Sequence, residues 1–254
     1  MANKYNWLAG VATVAATAVP LGAAQAQTVN QSALYGADSA FILPNGAVSF
    51  GGTLTDPRGG VSGAGKDGDL ALSFGLGNPI DAVGVQLDMN ITGTDPVFDS
   101  GAFNIKVARS LYLSDDLVVF GAVTASNLAP WGDAEGEDVT WTGTVTGMTE
   151  IATQSAIYPV MMTVGYGSNT TLLSAGQSDT GEGMFAGVGV GVAKYLGVSV
   201  SGTENQLNAG VSIGVPGVPE LGITLGVNDV TDNMDRKQKT LSVSYTLTDP
   251  FGGR

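Results

Sequence analysis

The sequence predicts an all-β chain folded as an antiparallel, up-and-down transmembrane β-barrel of about twelve strands. Three observations predict it. Segments of about ten residues alternate strictly between apolar and polar or small side chains, the period of a strand and not of a helix. The connections between segments alternate between short and long. Charged residues are 13% of the 254-residue chain and hydrophobic ones 43%, too little charge for an ordinary water-facing surface.

The first segment is for targeting. Lys4 gives residues 1–26 a positive start, Trp7 to Leu21 an apolar stretch rich in Ala and Val, and Ala24-Gln25-Ala26 an A-x-A cleavage site. The mature chain is expected to begin at Gln27. An uncleaved membrane helix is the weaker reading, because the apolar run falls short of the ~20 residues of a span and Pro20 interrupts it. No later stretch is apolar enough for such a helix, so a membrane-bound mature chain must cross as strands.

The strands follow in order. Val48, Phe50 and Leu54 mark the first, near 46–55. Leu70, Leu72, Phe74 and Leu76 mark the second, over 67–77. The third, 82–92, is the clearest: Val83, Val85, Leu87, Met89 and Ile91 share one face, and Gly84, Gln86, Asp88, Asn90 and Thr92 the other. The fourth, 101–112, carries Phe103, Ile105 and Val107. The fifth, 117–127, alternates less cleanly. Val139, Trp141 and Val145 mark the sixth; Tyr158, Val160, Met162, Val164 and Tyr166 the seventh; Met184, Ala186, Val188, Val190 and Val192 the eighth. A short ninth holds Val198 and Val200. Leu207 to Val215, Leu221 to Val227 and Leu241 to Leu247 supply the rest.

Turn-forming residues punctuate alternate junctions, at 78–81, 114–116, 195–197 and 216–219. The intervening connections, 56–66, 93–100, 128–137, 168–181 and 229–237, are longer and polar. Residues 203–206 and 148–156 depart from this rhythm. Register supports the pairing. Folding about 78–81 sets Leu76 against Val83 and Ser73 against Gln86. Folding about residue 97 sets Asp88 against Lys106 and Asn90 against Asn104. A one-residue slip would set apolar against polar throughout.

The second face separates lipid from water as the outer solvent. A soluble β-sandwich would carry Lys and Glu there; here it is mostly Gly, Ala, Ser, Thr, Asn and Gln, which suits a narrow barrel interior. Asp69, Gln86, Asp88, Asn90, Asn104 and Lys106 are expected to line the lumen. The Asp88–Lys106 pair reads either as a constriction that biases ion passage or as a cross-strand pair stabilising the wall. Tyr158 and Tyr166 are expected at the two membrane interfaces. Arg109, on the outward face, is expected to snorkel to the headgroups.

The A-x-A signal, the alternating strands and the short-turn, long-loop rhythm resemble Gram-negative outer-membrane β-barrels, including porin-like channels, over nearly all of 46–248. The resemblance is architectural. It implies short turns and both termini in the periplasm, outer-membrane lipid as a partner, and passage of small hydrophilic solutes or ions. It implies a barrel domain at 46–254, preceded by a segment, 27–45, that either plugs the lumen or hangs in the periplasm. Such barrels often end on an aromatic residue; here Phe251 continues the outward row, but Gly252-Gly253-Arg254 follow it. A closed structural or surface-display barrel with binding loops and a soluble secreted β-sandwich adhesin are the alternatives.

Composition narrows the chemistry. Ten basic against 23 acidic residues argue against a nucleic-acid partner. There is no cysteine, hence no disulfide and no thiolate metal site. There is no histidine, which removes the usual general base and the commonest metal ligand; the chain is not read as an enzyme, and no cofactor is expected. The acidic loops at Asp133, Glu135, Glu137 and Asp138, and at Asp229, Asp232 and Asp235, read as solvated charge in preference to cation sites, since neither has an EF-hand spacing. Glycines 187, 189 and 191 alternate with valines and are not a phosphate loop.

Overall fold

A computed structural model describes residues 15–16, 25–26, 34–58, 65–94, 96–153, 156–171, 181–248 and 250. Most of the expected signal segment, the expected cleavage point at Gln27, the centre of the 168–181 loop and Phe251 to Arg254 lie outside the described residues.

Twelve antiparallel strands close into one barrel. They are β1 (Val48–Asp56), β2 (Asp67–Gly77), β3 (Gly84–Thr92), β4 (Gly101–Leu113), β5 (Leu117–Trp131) and β6 (Thr140–Ala152). The second half is β7 (Ile157–Thr171), β8 (Gly181–Ala193), β9 (Leu196–Thr203), β10 (Leu207–Val215), β11 (Val218–Asn228) and β12 (Gln238–Leu247). Each strand pairs with its sequence neighbour, and β12 pairs with β1, Leu247 opposite Val48 and Lys239 opposite Asp56. That last ladder removes both sheet edges.

The two faces segregate as alternation requires. Phe50, Leu54, Leu87, Ile105, Val188, Leu225 and Leu241 stand exposed on the outside. Ser49, Thr53, Ser73, Thr124, Thr146, Ser201 and Ser242 are buried on the inside. Such an inversion, apolar out and hydroxyl in, is stable only against lipid.

Both expected registers are corrected by two residues. In the β2–β3 hairpin Leu76 faces Val85 and Ser73 faces Asp88. The turn spans 78–83, because the Ala82 amide donates to the Asn78 carbonyl (3.0 Å) and Gly77 takes a left-handed φ of 72°; Ala82 and Val83 are thereby withdrawn from the strand. In the β3–β4 hairpin Gln86, not Asp88, faces Lys106, and Asp88 faces Asn104. The Thr92 amide bonds the Ser100 carbonyl (3.0 Å), which centres that loop one residue earlier than symmetry about 97. An even slip keeps every side chain on its face, so hydropathy cannot detect it.

β5 runs beyond its expected end at 127, and its weak alternation has two causes. Its ladder to β4 shifts register twice between Ile105 and Gly101, where Asn127 and Ala129 take positive φ, as in bulges. Its inward residues Val118, Phe120 and Ala122 are apolar and buried.

Inside the barrel lies the chain that precedes β1. Leu34, Tyr35, Ala40, Phe41, Ile42, Leu43 and Ala47 are all buried there. Segment 34–47 therefore occupies the lumen.

Candidate functional site

The lumen site is built from this segment and two opposed stretches of wall. The first wall stretch runs across β9 to β12. Register places Ser199, Gly210, Gly226 and Thr240 side by side on these consecutive strands. The Tyr35 amide donates to Ser199 Oγ (3.1 Å), Ser201 Oγ donates to the Tyr35 carbonyl (2.6 Å), and the phenol hydroxyl bonds Thr240 Oγ1 (2.7 Å). The ring crosses the two glycines between. A Cβ on either Gly210 or Gly226 would overlap it. The glycines thus form a slot for an aromatic ring, a case of backbone approach that only Gly permits.

The second wall stretch runs across β4 to β7 and holds Asp38. Lys106 Nζ donates to Asp38 Oδ1 (2.5 Å) and to the Ser39 carbonyl (2.9 Å). The Thr124 and Thr144 hydroxyls approach Asp38 Oδ2, each at 3.4 Å, and Thr163 Oγ1 donates to the Asp38 carbonyl (2.9 Å). The Ala40 amide donates to Thr146 Oγ1 (2.8 Å). Lys106 is 0% exposed and is the one buried Lys or Arg among the described residues. A buried ammonium requires an anion or several acceptors; Asp38 and Ser39 supply them.

The segment then leaves the lumen along β3 and β2. The Leu43 amide donates to Gln86 Oε1 (2.9 Å), and the Gly46 amide to the Gly75 carbonyl (2.8 Å). Below the Asp38 site, at the short-turn end, Phe41 packs on Phe120 (centroids 5.0 Å apart). Ile42, Val118, Met148 and Met161 complete this apolar cluster.

The residues expected in the lumen divide into groups. Gln86, Asp88, Asn90, Asn104 and Lys106 are buried on the inward face. Gln86 Nε2 donates to Asp88 Oδ1 (2.8 Å), while Lys106 turns to Asp38 and not to Asp88. Asn104 Oδ1 accepts the Asn127 amide (3.2 Å) and fastens the β5 bulge. Asp69 stands apart, toward the long-loop end, where Arg58 Nη1 donates to it (2.7 Å). On the outer surface, Tyr158 and Tyr166 lie toward opposite ends of β7, Tyr166 against Trp141 (5.9 Å) and bonded to Glu182 (3.0 Å). Arg109 is exposed on the outward face of β4, opposite Gly121.

The acidic loops serve different ends. Asp229 is buried and accepts the amides of Asn233 (3.1 Å), Met234 (3.0 Å) and Arg236 (3.3 Å), so it organises its own loop. No group of three or more acidic side chains among the described residues is placed to hold a metal ion.

Tyr35, Asp38 and the threonines at 124, 144 and 163 were not singled out from sequence. The available signal was the facing pair Gly210 and Gly226, a gap on adjacent inward positions that needs a filler.

No family model matches the sequence, and no curated protein matches it. Solved structures do. A KdgM porin in complex with disordered oligogalacturonate aligns at TM-score 0.51 and 7% identity, over 78% of this chain and 98% of that one. A second KdgM porin structure aligns at TM-score 0.49, 8% identity and the same coverage. The Acinetobacter baumannii outer membrane protein Omp33 aligns at TM-score 0.47 and 9% identity, over 80% and 98%. At such identities the likeness concerns the fold: the architecture is that of porin-like outer-membrane barrels.

Proposed function

We propose that this chain is a channel of the Gram-negative outer membrane for small hydrophilic solutes or ions, and that segment 34–47 shuts it in the conformation described. One observation carries the reading. The interior is filled by a segment of the chain that belongs to no wall strand, held through hydroxyls, amides and one ion pair as well as the Phe41 cluster. A barrel closed for strength alone would fill a narrow interior with side chains from its own walls. Here part of the wall, at Ser199, Gly210, Gly226 and Thr240, is small enough to seat the Tyr35 side chain of that segment. Its withdrawal would leave a polar bore lined by Gln86, Asp88, Asn90, Asn104 and Lys106. In this reading residues 1–26 direct export, and Tyr158, Tyr166 and Arg109 anchor the barrel at the lipid interfaces.

A second reading, a permanently closed structural barrel, is favoured by the Phe41–Phe120 cluster, which withdrawal would expose to water. Planar-bilayer recording separates the two. The mature chain should show discrete conductance steps, more often in a Gly226→Ala variant that displaces Tyr35. Silent bilayers for both proteins, with the barrel folded, support the closed barrel and reject the channel.

A further inference from the structure

We infer that the wall around Lys106 is a carboxylate-binding subsite, and that Asp38 fills it as a tethered stand-in for the carboxylate of a small solute. The inference rests on the channel reading and adds the chemical class of its solute.

The donors converge on one carboxylate from three adjacent strands. Lys106 on β4 takes Oδ1, and Thr124 on β5 and Thr144 on β6 flank Oδ2. Lys106 and Thr124 are direct cross-strand partners, so the barrel ladder fixes their spacing whether or not segment 34–47 is present. With segment 34–47 seated the Lys106 side chain is 0% exposed, and an uncompensated buried charge costs several kcal/mol, so removing the Asp38 carboxylate alone leaves an ammonium that calls for another anion. Asp88 faces Asn104 and not Lys106, and its Oδ1 already accepts from Gln86.

The same surroundings limit the ligand to one charge. Asp88 on the neighbouring strand repels a second anionic group, so a monocarboxylate fits better than a phosphate ester or a polyanion. Thr163 adds a requirement. It donates to the Asp38 backbone carbonyl, which places a second acceptor a few bonds from the carboxylate, as in a hydroxy, keto or acylamino acid.

The test uses the full mature chain carrying Asp38→Gly. This change removes a carboxymethyl group, and acetate has the shape to replace it. Binding is read from the thermal unfolding midpoint in detergent, with acetate against chloride at equal ionic strength; function is read from bilayer conductance. Acetate should raise the midpoint of the Asp38→Gly protein and leave the unsubstituted chain unmoved. Adding Lys106→Gln should weaken the apparent acetate affinity by about tenfold or more, the loss expected for one charge-assisted hydrogen bond. If that double variant does not fold, Thr144→Val in its place should weaken acetate by a smaller factor. Acetate indistinguishable from chloride on Asp38→Gly, or an acetate response indifferent to Lys106 and Thr144, overturns the subsite. An acetate shift in a barrel that never conducts upholds the subsite and overturns the channel; steady conductance without an acetate effect does the reverse.

Discussion

Replacing Gly226 by alanine tests whether Tyr35 is what seats segment 34–47. The new Cβ would overlap the Tyr35 ring, and the barrel has two ways to respond. The ring can leave its slot. A fully buried tyrosine hides roughly 150–200 Å², worth at most about 4–5 kcal/mol at ~25 cal/mol per Å², and departure also forfeits the bond to Thr240, about 1 kcal/mol. Alternatively the strands yield, at the ~1–3 kcal/mol typical of overpacking. The cheaper route sets the result, so seating should weaken by about 2 kcal/mol, roughly 30-fold in the unseated population. Chymotrypsin reads that population directly, since Tyr35 and Phe41 are buried and can be cut only when the segment is out. The cut should come roughly 30-fold faster in Gly226→Ala. Gly51→Ala is the control: it is also an inward-facing glycine, on β1, but the nearest atoms to its Cβ lie 3.9 Å away. Equal cleavage rates for Gly226→Ala, Gly51→Ala and the parent chain would refute the slot.

Other consequences can be checked separately. Thr240→Val keeps the bulk and removes the Tyr35 hydroxyl's partner; chymotrypsin cleavage should rise about fivefold, for ~1 kcal/mol, and an unchanged rate contradicts the role of that bond. Val188→Arg puts a charge on the exposed outward face of β8; urea unfolding from phospholipid vesicles should show about 2–4 kcal/mol lost if this position meets the bilayer midplane, and no loss places it outside the lipid. Asp229→Asn weakens the acceptor of three loop amides; hydrogen exchange at Asn233, Met234 and Arg236 should accelerate severalfold, and undisturbed protection would show that the loop is held otherwise. The closed barrel should also migrate differently on a denaturing gel before and after boiling, and identical migration contradicts closure.

Much of the fold was legible because lipid and lumen impose opposite polarity on alternate residues. The bounds of β2, expected at 67–77, coincide with Asp67–Gly77. Legibility failed where another force ruled. The β2–β3 and β3–β4 registers slipped by two because turn hydrogen bonds set them, and a period-two signal is blind to an even slip. β5 read poorly because Val118, Phe120 and Ala122 face inward yet are apolar; their partner is Phe41, some eighty positions earlier in the chain. The expected Asp88–Lys106 pair depended on the wrong register. It also lacked a competitor, Asp38, that no local pattern could supply.

The sequence by itself determined a barrel of about twelve strands and, outside β5, the face that strand residues take, since alternation is set by neighbours two apart along the chain. Only the tertiary structure decided that residues 34–47 lie within the lumen, that Gly210 and Gly226 frame a slot for Tyr35, and that Lys106 is answered by Asp38. Those facts depend on contacts between segments up to about two hundred residues apart, and such contacts leave no periodicity in either segment.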